Sequence, residues 1–145
     1  MFFVCIYIIM DPKVWGPHGW FFLHCITLVY PNNPTKEDKQ NMKQYFTCLE
    51  KVLPCHKCRQ NFGMHLDKFP INDKVLSSRD ELVKWLIDIH NESNKQTNNK
   101  QLKYSEVIEK FIGNQTKFKF DIMNIILISL LLFILAVLCY KNLKR

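Results

Sequence analysis

The chain has 145 residues, 48% hydrophobic and 23% charged, with 20 Lys+Arg against 13 Asp+Glu and a formal net charge of +7. This apolar content excludes a disordered or low-complexity chain, and the length suits one compact core with a short accessory segment. The cations are scattered rather than gathered into a stripe, so they read as solvated surface charge and not as a nucleic-acid footprint.

Residues 1–12 form an apolar leader, about half the length of a membrane span and without the charged start or cleavage site of a signal peptide. It reads as a loose leader, an extra packing element, or a stretch ahead of a start at Met10; its role stays open. Pro17 and Gly19 open a first helix that runs to about Tyr30 and ends at Pro31-Asn32-Asn33-Pro34. Thr35, with Asp38 three positions on, caps a second helix. Its apolar face carries Met42, Tyr45, Phe46, Leu49, Val52 and Leu53, and Pro54 stops it. A third helix holds Cys55 and Cys58 and continues through Phe62 and Leu66 toward Pro70. Ser77 or Ser78 caps a fourth, where Leu82, Trp85, Leu86 and Ile89 follow helical spacing. The polar run from Asn91 to Gln101 is the end of that helix plus a loop. A short fifth helix spans about Tyr104 to Ile112. No segment alternates like a strand, so the expected fold is all-α, a four-helix bundle with a short fifth helix.

From Ile122 to Tyr140 every residue is apolar except Asn124 and Ser129. At about 1.5 Å per residue that run matches the hydrocarbon thickness of a bilayer. The expected organisation is therefore a leader (1–12), a soluble domain (13–113), a linker (114–121), a C-terminal transmembrane helix (122–140) and a basic tail (141–145). Such a chain is a single-pass, tail-anchored membrane protein. Basic residues flank the span on both sides, so the side on which the domain sits is not fixed.

Three groups carry chemistry. Cys55-His56-Lys57-Cys58 places two sulfurs at a helix start, where the helix dipole, Lys57 and Arg59 favour a thiolate, the species that exchanges disulfides. Trp20 and His24 are four apart and share a helical face with Thr27, an aromatic and an imidazole able to stack on a planar heterocycle. Trp15 opens the same segment. His90, Asn91 and Asn94 offer a ring and amides suited to a nucleotide. Each group alone has a plain structural explanation in core packing or helix capping.

Taken in order, WGPHGWFFLH, PCHKCRQNF and SRDELVKWLIDIHNESN resemble the Erv/ALR family of FAD-linked sulfhydryl oxidases, over about Lys13 to Phe111. The composition is similar to versions carried by large DNA viruses. The resemblance implies an FAD cofactor and a thiol oxidase that forms protein disulfides. Electrons would pass from a substrate dithiol to Cys55-Cys58, then to FAD, then to O2, giving H2O2. Cys58 would lie beside the flavin, with Cys55 exchanging with the protein dithiol or a thioredoxin-like intermediary. Trp15, Trp20 and His24 would line the cofactor pocket with Tyr30 near its edge. His90, Asn91 and Asn94 would hold the adenosine part, with Lys95 near the phosphates and Lys100 and Tyr104 adding contacts. A homodimer through the first two helices is also implied.

The chain departs from the family pattern in three places. Ile87 replaces a structural cysteine, Ser93 replaces a valine, and Gln96-Thr97-Asn98-Asn99 replaces a basic phosphate-contacting run. No shuttle cysteine pair is visible, and Cys25 and Cys48 read as small buried core residues. The roles of Cys5 and Cys139 stay open. The competing reading is a non-enzymatic membrane adapter binding zinc through Cys55, Cys58 and His65, with Cys48 or His56 as the fourth ligand. Only one closely spaced ligand pair is present, so the oxidase reading, which needs no metal, is preferred.

Overall fold

The computed structural model describes residues 10–143, and the side chains of all of these except 112–120, 136–139 and 141–143. The leader up to residue 9 with Cys5, the side chain of Cys139 and the end of the basic tail lie outside the described residues. The regular structure among the described residues is all helical, in the order α1 (Pro12–Leu28), α2 (Lys36–Val52), α3 (His56–Lys68), a 3-10 turn (Val75–Ser77), α4 (Arg79–Gln96), α5 (Tyr104–Ile108), a π-helical turn (Glu109–Gly113) and α6 (Asn114–Leu143). The all-α expectation holds.

Helix α1 starts five residues earlier than Pro17 suggests. Asp11 supplies the cap, its carboxylate accepting from the Lys13 amide at 2.9 Å, and Pro12 occupies the first turn, where its missing N–H costs nothing. Pro17 lies inside the helix. One face buries Leu23, His24 and Thr27, while Val14, Phe21, Phe22 and Val29 face outward.

Helix α2 opens with a reciprocal cap. The Thr35 hydroxyl accepts from the Asp38 amide at 3.1 Å, and the Asp38 carboxylate accepts from the Thr35 amide at 2.8 Å. The Thr35 hydroxyl also donates to the Asp38 carboxylate at 2.7 Å, and this bond together with that from the Thr35 amide holds the Asp38 carboxyl below its ordinary range. A Thr35→Ala variant removes one arm of this cap and is expected to cost about 1 kcal/mol in urea denaturation.

Helix α4 is capped by Ser78, whose hydroxyl accepts from the Glu81 amide at 3.3 Å. Its buried face is Leu82, Val83, Trp85, Leu86, Ile87 and Ile89. Helix α1 packs on α4, α2 on α3, and α3 on α4. The shared core joins Leu23, Tyr30, Phe46, Phe62, Leu76, Leu82, Trp85, Leu86 and Ile89. Phe46 meets Trp85 edge-on at 4.9 Å between ring centroids, and the Trp85 indole donates to the Phe69 carbonyl at 2.8 Å. The Arg79 guanidinium donates to the Tyr30 carbonyl at 2.6 Å, tying the end of α1 to the start of α4. Ile87, where the family pattern has a cysteine, is a buried apolar residue.

Residues up to Tyr104 form one compact unit and residues 105–145 a second. In the second, residues 114–121 are helical and continue without a break into the apolar run, giving a helix of 30 residues. Among the described residues no helix is long and apolar enough to cross a membrane. Within the apolar run the side chains of residues 136–139 lie outside the described ones, while those up to Leu135 and that of Tyr140 are described.

Candidate active site

The two sulfurs of Cys55 and Cys58 are joined in a disulfide, with a Cα–Cα distance of 5.1 Å. Pro54 ends the preceding segment and Cys55 takes an extended backbone as the N-cap of α3. Its Sγ then accepts from the Cys58 amide at 3.2 Å. The same sulfur therefore caps the helix and forms the bond. The dipole at this N-terminus favours negative charge on a sulfur released by reduction. Arg59 was expected to act only as a nearby cation. Its guanidinium instead donates to the Leu53 carbonyl at 2.6 Å, bracing the turn that presents the disulfide. A disulfide leaves neither sulfur available as a zinc thiolate. Among the described residues no group of three or more His, Cys, Asp or Glu could hold a metal ion.

On α1 and α4 the expected ring residues do meet. The Trp20 indole and the His90 imidazole lie parallel, 4.0 Å apart with a 5° interplanar angle. His24 is buried, and its Nε2 is 3.0 Å from His90 Nδ1. That bond needs one ring to donate and the other to accept. The Thr27 hydroxyl donates to the His24 carbonyl at 2.9 Å and fixes this turn of α1. Two aromatic planes and an imidazole pair thus gather on the facing sides of α1 and α4.

The other expected residues are placed differently. The Asn91 amide donates to the Leu102 carbonyl at 3.0 Å, and its carbonyl accepts from the Leu102 amide at 2.7 Å. Asn94 is buried and donates to the Lys100 carbonyl at 3.0 Å. Both side chains clip the loop after α4 back onto the helix. Asn98, at φ 54°, makes the left-handed turn that reverses the chain there. Lys95 pairs with Glu92 at 2.6 Å, and Glu92 also pairs with Lys68 at 2.8 Å. These bonds push the Glu92 carboxyl down to about 2. Tyr30 is buried in the core and donates to the Leu76 carbonyl at 3.1 Å. Tyr104 donates to Asp80 at 3.1 Å, and the Trp15 indole donates to the Met10 carbonyl at 3.3 Å. Lys100 is exposed at the loop.

Cys48 corrects an expectation: it is exposed, and Cys25 is only half-buried. The apolar face of α2 centres on Phe46. Cys48 instead follows the polar stripe of Gln40, Lys43, Gln44, Thr47 and Lys51, which lines an open concavity on the outer side of the helix.

Residues 17–112 match the Erv1 / Alr family. The chain is 53% identical over 100 residues to a probable FAD-linked sulfhydryl oxidase of Acanthamoeba polyphaga mimivirus, covering 69% of this chain and 70% of that protein. It is 31% identical over 86 residues to the mitochondrial FAD-linked sulfhydryl oxidase of Saccharomyces cerevisiae, covering 59% of this chain and 44% of that longer protein. The fold is similar to the crystal structure of the FAD-binding domain of Erv1 from the same yeast. The TM-score is 0.64 at 27% identity, over 70% of this chain and 94% of that one.

Proposed function

The chain belongs to the Erv1 / Alr family, and from that premise we propose that it is an FAD-linked sulfhydryl oxidase that makes protein disulfides. The observation that carries this reading is the Cys55–Cys58 disulfide at the N-terminus of α3, in the same four-helix unit as the Trp20–His90–His24 ring cluster. A paired sulfur at a helix start can be reduced by a substrate dithiol and hold the resulting thiolate.

The donor set fits FAD. Trp20 and His90 stack on one another at 4.0 Å, so a flat heterocycle would pack on an outer face of that stack, with the imidazoles supplying polar edges within the same cluster. Bound FAD would supply two-electron chemistry that side chains lack, with dioxygen as the terminal acceptor. On this reading Trp20, His24 and His90 line the cofactor site. Asn91 and Asn94 shape it by holding the backbone of Lys100 and Leu102. The side chains of Trp15, Tyr30, Lys95 and Tyr104 each bond to another protein group, and Lys100 lies exposed on the loop that Asn94 holds; on this reading they border the site rather than line it. Cys55 exchanges with a protein dithiol or a thioredoxin-like intermediary, and Cys58 is the flavin-side sulfur. The zinc adapter is not favoured, because its two cysteines are bonded to one another.

The exposed apolar side chains Val14, Phe21 and Phe22 on α1, with Val29 at its C-cap, support a homodimer. The apolar run 122–140 supports a C-terminal membrane anchor after an oxidase domain at 13–113 and a connecting segment at 114–121, with 1–12 as leader and 141–145 as basic tail. Ile125 to Leu135 are exposed at successive positions, so this stretch of α6 is apolar all round apart from Ser129. Expressed whole, the chain should sediment with membranes and resist alkaline extraction. Cut after residue 113, it should be yellow and soluble. A colourless soluble domain sinks the oxidase reading, and a full-length chain released by alkali sinks the anchor.

A further inference from the structure

Outside the ring cluster, one titratable side chain is buried without a function. His65 lies in the last turn of α3, only 5% exposed, and its Nε2 has no hydrogen-bond partner among the described residues. It is seven residues from Cys58, about two turns of the same helix, on the face that also buries Phe62. Across the α3–α4 seam stand Lys68, Glu92 and Lys95, where one carboxylate serves two ammonium groups. Asp88 flanks this group on α4 and feels both Lys95 and Glu92. On the α2 side, the Glu50 carboxylate approaches α3 at Gly63, on a different face of the helix.

We propose that His65 is a positioning residue whose neutral imidazole lets α3 close against α4, and that its protonation in mild acid loosens the helix carrying Cys58. The neutral ring packs as a largely apolar group in this seam. An imidazolium there would put a charge on a ring only 5% exposed, beside the Lys68 ammonium, with the Glu92 carboxylate already shared between two cations. Burial lowers the affinity of this ring for a proton, Glu92 opposes that effect, and Lys68 adds to it. The folded chain therefore binds fewer protons than the unfolded chain just below the ordinary histidine value. The contribution of His65 to stability is complete above about pH 6.5 and is lost as the pH falls through that value toward the lower folded one. Glu92 stays ionised throughout this window. The consequence for turnover, an oxidase silenced reversibly by acid, rests on the thiol-oxidase reading; the loosening does not.

The test compares the melting temperature of the full chain and of a His65→Leu variant between about pH 7.5 and pH 5. All other groups are common to the two proteins, so the difference between the two falls isolates position 65. Wild type should fall by at least about 4 °C more than the variant over this range. Equal falls overturn the proposal. Should the variant fail to fold, hydrogen–deuterium exchange at the His65 ring carbon of wild type replaces it. A midpoint below about 6.5 supports the proposal, and one at or above that value overturns it. Neither readout involves turnover, so failure here is distinct from failure of the oxidase reading, which would show as a chain unable to retain flavin.

Discussion

A Cys58→Ser variant is expected to fold, retain flavin, and lose dithiol oxidation by on the order of 10³-fold or more, the scale of removing a catalytic nucleophile. Three features of the site lead to this result. The Cys58 side chain is one half of the only bond in the α3 N-terminus that can be opened by reduction. Its backbone amide, which serine preserves, is what caps the helix by donating to Cys55 Sγ. Serine is also close in size, so the bracing of the turn by Arg59 on the Leu53 carbonyl survives. A Cys55→Ser variant should lose steady-state oxidation to a similar extent but for a different reason. It keeps the sulfur assigned to the flavin side and lacks the one assigned to the substrate. Oxygen consumption with a small dithiol measures both losses.

Phe46→Ala should carry the largest cost to stability, about 3–5 kcal/mol by urea denaturation. The ring is fully buried, meets Trp85 edge-on, and packs beside Tyr45 with centroids 5.2 Å apart. Trp85 is held from its other end by the Phe69 carbonyl, so it cannot readily move into the vacated space. A domain of this size is stabilised by only about 5–15 kcal/mol in total, so the variant should be marginal at physiological temperature. Mutating Val52, which lies on the same helix but is exposed, should be almost silent by comparison.

Much of this architecture was legible in the sequence because local rules and tertiary demands agree. Thr35 and Asp38 cap α2 as their spacing implies, and the Leu82, Trp85, Leu86, Ile89 stripe is the buried face of α4. The ring cluster was legible too, since Trp20 and His24 share one face and His90 lies on the helix packed against it. The start of α1 differs from the sequence expectation because Pro17 is a strong local signal, whereas the cap at Asp11 depends on a single side-chain bond. The fate of Asn91 and Asn94 could not be read from spacing at all. Whether an amide faces a ligand or a loop depends on where residues 100–102 return, and Asn98 at positive φ decides that. Cys48 was misplaced because cysteine is usually buried, yet its position on α2 follows the lysine and glutamine stripe. In the sequence His65 reads only as a candidate metal ligand, and its burial near the Lys68–Glu92–Lys95 group exists only once α3 and α4 are packed.

The most direct measurement is an anaerobic titration of purified wild type and Cys58→Ser with a dithiol, following the yellow absorbance. Wild type should bleach and recover its colour when air is admitted, while the serine variant should keep its colour throughout. Protein that carries no flavin, or a serine variant that bleaches as readily as wild type, would contradict the account.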